Sequence, residues 1–424
     1  MDIKQYIVDK KSDIDGLDVK SRGINLEPTI NFVTVITGPR RAGKSYTLFE
    51  FIKEKGIARE DYVFINFEDE GILDLKREDI IRLPYISKEI YGREPLYLFF
   101  DEVQNIDKWE RLVYTLYERK KYRVVVTGSS SKLFSREIAT ELRGRALPVE
   151  ILPFSFAEAC KIRNINISSV PSSSEISGIK HELLDYMSRG GFPDVLLGNV
   201  KPELFFRQYL DLVVFKDITE RFGIRNISIM KMLMSSIMSS FGKEFSVRKQ
   251  FESIKSLGIK VSMKTLYSYS QLFEDAFFCF FIPKFSFSPR KRSLSVKKVY
   301  PNDTGFLSMA NDTGSRMESV VFLELLRRKE NYNISYWKDY QGHEVDFVID
   351  TKSKPVMLVQ VTYAEKREDV KPREILSIIH AAKDLSCNNL LIITWDLESE
   401  EMIEGMKIKF APLWKWLLAG KSLS

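Results

Sequence analysis

The chain has 424 residues, 44% apolar and 29% charged, with 21 glycines and 15 prolines; this excludes collagen, a disulfide scaffold and a mostly disordered chain, and at one domain per roughly 150 residues it calls for two or three cores. The 64 basic residues exceed the 58 acidic ones, giving a net charge of +6 and a pI near 8.9, which allows a nucleic-acid partner without requiring one. Three cysteines (Cys160, Cys279, Cys387) and three histidines (His181, His343, His380) are scattered, so neither a disulfide framework nor a multi-histidine metal site is expected, and a reducing cytoplasm fits.

The N-terminus has no apolar run before its charges, so no signal peptide is expected. No window reaches 18 apolar residues, so no membrane span is expected. Residues 1 to about 30 read as a charged lead-in, helical near Ile3 to Lys10. Phe32–Ile36, Tyr62–Phe67, Leu96–Phe100 and Tyr122–Thr127 are short apolar runs that read as strands. Helical periodicity separates them, through Leu48, Phe51 and Ile52 and again over Trp109–Tyr117. Strands alternating with helices predict a mostly parallel α/β sheet.

Residues 164–178 are rich in serine and read as a linker. A helical stretch from His181 to about Met238 must break at Gly190, Gly191, Phe192 and Pro193. Helix, turn, helix and strand follow over 245–282, and basic residues gather at 290–298. From Asp312 a helix with the stripe Val320, Val321 and Leu325 leads into strands around 334–362, then helix and strand.

The strongest signal is Gly38, Pro39, Arg40, Arg41, Ala42, Gly43, Lys44 and Ser45, which matches G-x-x-x-x-G-K-[S/T] between a strand and a helix, and with Tyr46 these are the candidate nucleotide-binding residues. Glycines let the backbone wrap phosphates, and the loop N–H groups with the helix N-terminus form an anion nest. Lys44 is placed to reach the β- and γ-phosphates, and Ser45 to ligate Mg²⁺. The strand Leu96–Phe100 ends in Asp101 and Glu102. Asp101 is the candidate to hold Mg²⁺ through water, and Glu102 to orient and deprotonate the attacking water. Ser129, after the next strand, is the candidate γ-phosphate sensor. Arg145 or Arg143 is the candidate finger, acting in a neighbouring subunit or across a domain boundary. The cofactors expected are ATP and Mg²⁺.

These stretches resemble an archaeal or bacterial AAA-like P-loop ATPase family with a C-terminal region of unknown function. The resemblance rests on the loop 38–45, on Asp101 to Gln104, on Thr127 to Ser130, on Leu142 to Arg145 with Pro153 to Glu158, on Gly190 to Pro193, and on Lys298 to Tyr300 with Asp303 to Gly305. It implies that Asp101 and Glu102 are the Walker B pair, Ser129 is sensor 1 and Arg145 is the finger-like arginine. It also implies a P-loop core over 1–163, a linker and helical lid over 164–240, a winged-helix module over 241–311 and a restriction-endonuclease-like α/β domain over 312–424.

The winged helix has support of its own, with helices at Phe245–Phe251 and Met263–Phe273 and Ser262 as N-cap. Lys264 and Thr265 on the second helix, and Arg290, Lys291, Arg292, Lys297 and Lys298 on the expected wing, are candidate contacts to double-stranded DNA. Such modules also dock proteins, so a protein partner or self-association stays open. In the tail, Asp346 fits the first acid of a nuclease site and Glu318 an accessory acid. Gln360 and Thr362 stand where a second acid and a lysine belong, so this site is expected to be inactive. The function expected is ATP hydrolysis coupled to a conformational change of a DNA- or protein-binding module. The alternatives are a nucleotide-gated assembly switch with slow turnover and, more remotely, a metal-dependent nuclease.

Overall fold

A computed structural model describes residues 2–72, 75–130, 142, 144–165, 167–307, 312–329 and 331–420. They divide into two compact units, Met1–Leu152 with Asp275–Phe277, and Pro153–Glu274 with Phe278–Ser424.

In the first unit, β1 (Val33–Thr37), β2 (Tyr62–Asn66), β3 (Tyr97–Asp101), β4 (Arg123–Gly128) and β5 (Ala146–Glu150) form one parallel sheet in the order β2-β3-β4-β1-β5. Strand alternation divides the side chains between two cores. Val33, Val35, Val63, Ile65, Leu98, Phe100, Val124 and Val126 face the helices Ile3–Gly16, Arg77–Tyr91 and Trp109–Glu118. Ile36, Tyr62, Phe64, Phe99 and Val125 face the helix Lys44–Glu54. This burial on both sides is why the strands read as continuous apolar runs. The edge strand β5 has a mostly exposed or half-buried pattern, and no apolar run marks it in the sequence. The lead-in helix extends to Gly16, beyond Lys10, because Tyr6, Ile7 and Ile14 are buried.

In the second unit, the strands β6 (Lys243–Phe245), β7 (Cys279–Pro283) and β8 (Lys297–Pro301) make a small antiparallel sheet, β6-β8-β7. The helices Val247–Ser256 and Met263–Asp275 precede its β7–β8 pair. Ser262 caps the second helix, its Oγ accepting from Thr265 N at 3.0 Å. A mixed six-stranded sheet follows, with β9 (Asn333–Lys338), β10 (Glu344–Thr351), β11 (Lys354–Val361), β12 (Leu390–Thr394), β13 (Ser399–Ile403) and β14 (Met406–Pro412) in the order β13-β14-β12-β11-β10-β9. The helices Thr313–Arg327 and Leu413–Leu418 cover one face, and Pro372–Leu385 covers the other.

Three boundaries differ from the sequence reading. The division falls after Leu152 and not at 163, because Phe156, Ala159 and Cys160 are core residues of the second unit. The serine-rich 164–178 stretch is not all linker. Ser172 and Glu175 form a reciprocal capping box that starts the helix Ser173–Arg189. The basic run Arg290–Arg292 lies on a short helix, Pro289–Leu294, between β7 and β8, and not on a wing strand.

The helix Ser173–Arg189 ends on Gly190 at a φ of 83°, and a Cβ there would lie 1.7 Å from Asp303 Oδ1. Asp303 accepts from Gly191 N and Gly305 N, each at 2.8 Å. Gly190→Ala therefore forces a left-handed alanine and displaces Asp303. The expected cost is about 2–4 kcal/mol, read as a lower midpoint of thermal unfolding; an unchanged midpoint would contradict this packing.

Candidate functional site

The phosphate loop joins the C-terminal end of β1 to the N-terminus of the helix Lys44–Glu54, where open α/β sheets place their ligands. Gly38 and Gly43 take φ values of 154° and 95°. A Cβ on Gly38 would lie 1.9 Å from the Ile151 carbonyl oxygen, so only glycine fits. Pro39 and Ala42 are buried, Arg40 pairs with Glu68 at 2.7 Å, and Arg41 is exposed at a φ of 63°. Tyr46 is half exposed and packs edge-on to Phe49.

Lys44 is buried, and its Nζ donates to the carbonyls of Gly38 at 3.3 Å and Pro39 at 3.0 Å. It also lies 3.4 Å from Glu102 Oε1. Ser45 Oγ donates to Asp101 Oδ2 at 2.6 Å, and Thr127 Oγ1 bonds Asp101 Oδ1. Burial pushes the Asp101 carboxyl up to about 6, helped by the charge of Glu102 and opposed by Ser45 and Thr127. Burial also pushes Glu102 up, but Lys44, Gln104 and Arg40 outweigh it and hold that carboxyl below its ordinary range. Glu102 therefore stays ionised at neutral pH. Its φ of 53° is costly for a side-chain-bearing residue and aims it off the end of β3.

Ser129 is fully buried and accepts from Gln104 Nε2 at 3.4 Å, while the same nitrogen bonds Glu102 Oε2. Arg145 sits elsewhere. It is exposed, its Nη1 donates to Tyr117 OH at 3.0 Å, and it precedes Ala146, which is level with Val33 at the start of β1. The phosphate loop follows Thr37, so Arg145 stands roughly 13 Å away along the strand direction and does not complete its own chain's loop. Arg143 lies outside the described residues.

Several site residues carry no local sequence signal. Arg22 donates to Ala42 O and Leu152 O, each at 2.9 Å, and its own N–H reaches Glu50 Oε1 at 2.8 Å. These bonds clamp the loop from segments far away in sequence. Thr127 and Gln104 lie within the quoted motifs, but only the fold shows that they hold Asp101 and Glu102.

In the second unit, Lys298 is only 3% exposed. Its Nζ lies 3.1 Å from Glu318, 2.6 Å from Glu344 and 3.3 Å from Asp346. Burial pulls this ammonium down, while Tyr300, Glu318, Asp346 and Glu344 together hold it well above its usual range. Lys298 is therefore withdrawn from the candidate DNA contacts. Arg292 is largely withdrawn as well, paired at 3.0 Å with the fully buried Asp350. Lys264, Arg290 and Lys291 are exposed, Thr265 and Lys297 half-buried.

The expected tail quartet does not assemble. Glu318 and Asp346 share Lys298, but Val359 and Val361 pack on the core under the helix Thr313–Arg327. Alternation then sends Gln360 and Thr362 to the opposite face, where the Thr362 hydroxyl bonds the Glu374 carboxyl. The register of β10 against β9 is irregular between Val345 and Val348, and Asp346 takes Lys298 at Oδ1 while its Oδ2 accepts from Val361 N at 3.0 Å.

The AAA domain family matches residues 31–160, and two domains of unknown function, DUF8612 and DUF4143, match residues 180–316 and 313–416. The uncharacterized protein MJ1544 of Methanocaldococcus jannaschii is 36% identical over 429 residues, covering 98% of this chain and 95% of its own. The chain belongs to the family of that archaeal protein. Its first unit has the fold of an AAA-type P-loop core. A Haemophilus influenzae protein is 26% identical over 393 residues, 91% of this chain and 94% of its own. Among solved structures, Aeropyrum pernix ORC1 in complex with DNA aligns over 77% of this chain and 94% of its own, at 12% identity and a TM-score of 0.31. AMPPCP-bound DnaA from Aquifex aeolicus aligns over 64% and 87%, at 14% identity and a TM-score of 0.25. The tail of the chain matches a domain of unknown function, and that match does not show the nuclease-like fold expected above. No helix among the described residues is long and apolar enough to cross a membrane.

Two outcomes follow from these carboxylates. The Asp101 value of about 6 lies above the unfolded one near 3.8, so its favourable contribution is complete below pH 4 and is lost as pH rises through 6. Asp101→Asn should therefore raise the unfolding free energy at pH 8, by an amount on the order of 1–3 kcal/mol, with the gain shrinking towards pH 5. Lys298→Ala strands buried carboxylates and should destabilise the second unit by about 3–5 kcal/mol in urea unfolding.

Proposed function

We propose that this protein binds ATP with Mg²⁺ at the loop 38–46 and hydrolyses it. The observation that carries the reading is the bond from Ser45 Oγ to Asp101 Oδ2, beside a Lys44 that also touches Glu102. It gathers a phosphate-binding lysine, an all-oxygen ligand pair and an ionised base within one pocket. Hydroxyl and carboxylate oxygens are the donors Mg²⁺ prefers, and the glycine cradle leaves backbone room for phosphates. The residues present thus fit both groups.

Ser45 and Asp101 would hold Mg²⁺, which would supply charge neutralisation for the phosphates. Lys44 exchanges its loop carbonyls and Glu102 for phosphate oxygens. Glu102, released from Lys44, accepts the proton of the attacking water at Oε1. Gln104 links Glu102 to Ser129, so the residue that would sense the γ-phosphate is bonded to the group holding the base. In this reading Arg145 serves the phosphate site of a second molecule, since it stands at the far end of its own sheet.

The output is a change in the binding state of the second unit. Its two helices and small antiparallel sheet are read as a winged-helix module, with DNA as the partner. The exposed Lys264, Arg290 and Lys291 and the half-buried Lys297 support this. The tail is not read as a nuclease, because a resident ammonium occupies its two acids. Glu102→Gln should retain ATP and lower turnover by roughly 10²–10⁴-fold, whereas Lys44→Ala should lose nucleotide binding. Unchanged turnover in Glu102→Gln would overturn the assignment of the base. For the output, DNA affinity should fall steeply between 50 and 200 mM salt; no binding even at low salt would remove DNA as the partner.

A further inference from the structure

Asp339, His343 and His380 come together at one edge of the six-stranded sheet. His343 lies just before β10 and His380 on the helix Pro372–Leu385. One donor atom from each lies within 4.8 Å of the other two. His343 Nδ1 is 2.7 Å from Asp339 Oδ2, His380 Nδ1 is 3.9 Å from the same oxygen, and the two rings meet at 4.5 Å between centroids. Two of the three histidines in the chain are thus gathered with a carboxylate, although their sequence spacing announces nothing.

We propose that Asp339, His343 and His380 form a binding site for a divalent transition metal of the zinc class. Two imidazoles and one carboxylate make a borderline-soft ligand set that favours zinc over Mg²⁺. The carboxylate is already oriented for this task. Its Oδ1 accepts from the backbone N–H of Gln341 at 2.9 Å and of His343 at 2.8 Å, which fixes the turn and leaves Oδ2 facing both rings.

Two donors on one zinc, each at ~2.1 Å, stand no more than ~4.2 Å apart. A small rotation closes the set, and the His380 side chain, 41% exposed, is free to make it. Binding replaces the hydrogen bond between His343 and Asp339 and releases any proton it holds. Three protein ligands leave at least one coordination position open. Asp339 and His380 line a cavity of about 630 Å³ with Phe287, Trp337 and Tyr340. That open position therefore has room for water or a small exchangeable ligand. This site lies in the second unit and is independent of the nucleotide reading.

The test uses the full chain, stripped of metal and kept free of nucleotide, titrated with ZnCl₂ against a chromophoric zinc indicator. One equivalent should bind, and millimolar MgCl₂ should not displace it. His380→Gln, at the more exposed ligand, should weaken zinc by at least ~100-fold. His343→Gln/His380→Gln should abolish the equivalent, while His181→Gln and Lys44→Ala keep it. Titration with CoCl₂ should give visible d–d absorption that the double variant lacks. Circular dichroism of each metal-free variant confirms its fold, and His380→Gln decides the matter should the double variant unfold. Failure to bind zinc, or an unchanged zinc affinity in a folded His380→Gln, would overturn the proposal.

Discussion

The first unit turns on one buried carboxylate. Asp101 ends β3, yet its two oxygens take the hydroxyls of Ser45, from the helix after β1, and of Thr127, from β4. Since β4 lies between β3 and β1, this side chain reaches across a strand and ties three consecutive C-terminal edges together. A carboxylate without water is costly unless its oxygens are bonded. The two hydroxyls meet part of that demand, and the nearby Lys44 charge opposes the rest only weakly. The result is an acid that is held in place but still under-compensated, and its raised protonation range expresses this. A carboxylate in this state suits the cation proposed for the site, because the missing charge is what such a ligand would bring.

The second unit solves a similar problem differently. Glu318, Glu344 and Asp346 are drawn together by the helix Thr313–Arg327 and β10, and Lys298 from β8 supplies the counter-charge covalently. An ammonium on the polypeptide is always at its site, so these carboxylates are satisfied before any ion arrives. The electrostatic contrast separates the two acidic clusters more firmly than motif matching does. In the first, the polar partners Lys44, Ser45 and Thr127 can be redirected by small rotations. In the second, Lys298 is buried on a strand paired on both sides, and its withdrawal would leave three carboxylates exposed to one another.

This also explains what could be read from the sequence. The central strands of the first sheet were legible because each is buried on two faces and must be apolar throughout. The loop 38–45 was legible because the phosphate binding proposed for it demands glycine, lysine and a hydroxyl at fixed spacing within one turn. The edge strand β5 was not, since it buries too little to need an apolar run. Arg22 was not, since its partners are Ala42, Glu50 and Leu152, and only tertiary structure brings them to it. Gln360 and Thr362 were grouped with Asp346 by motif position alone, which carries no information on the face each side chain takes. The strand register against β9 is irregular just after Val345, where Asp346 lies.

The basic stretch 290–298 shows the same limit at its sharpest. Lys297 and Lys298 are neighbours of identical chemistry, and as a charge cluster they are indistinguishable. In a strand, consecutive side chains take opposite faces. Lys297 stays half-buried near the Phe281 ring, while Lys298 enters the carboxylate cage. One residue of register therefore separates a candidate contact for an outside anion from an internal counter-ion. The histidines make the converse case. His343 and His380 look unrelated along the chain, and packing of the helix Pro372–Leu385 against β10 makes them neighbours. Net charge and residue counts thus bound the available chemistry, but strand register and helix packing decide which of those charges and donors meet.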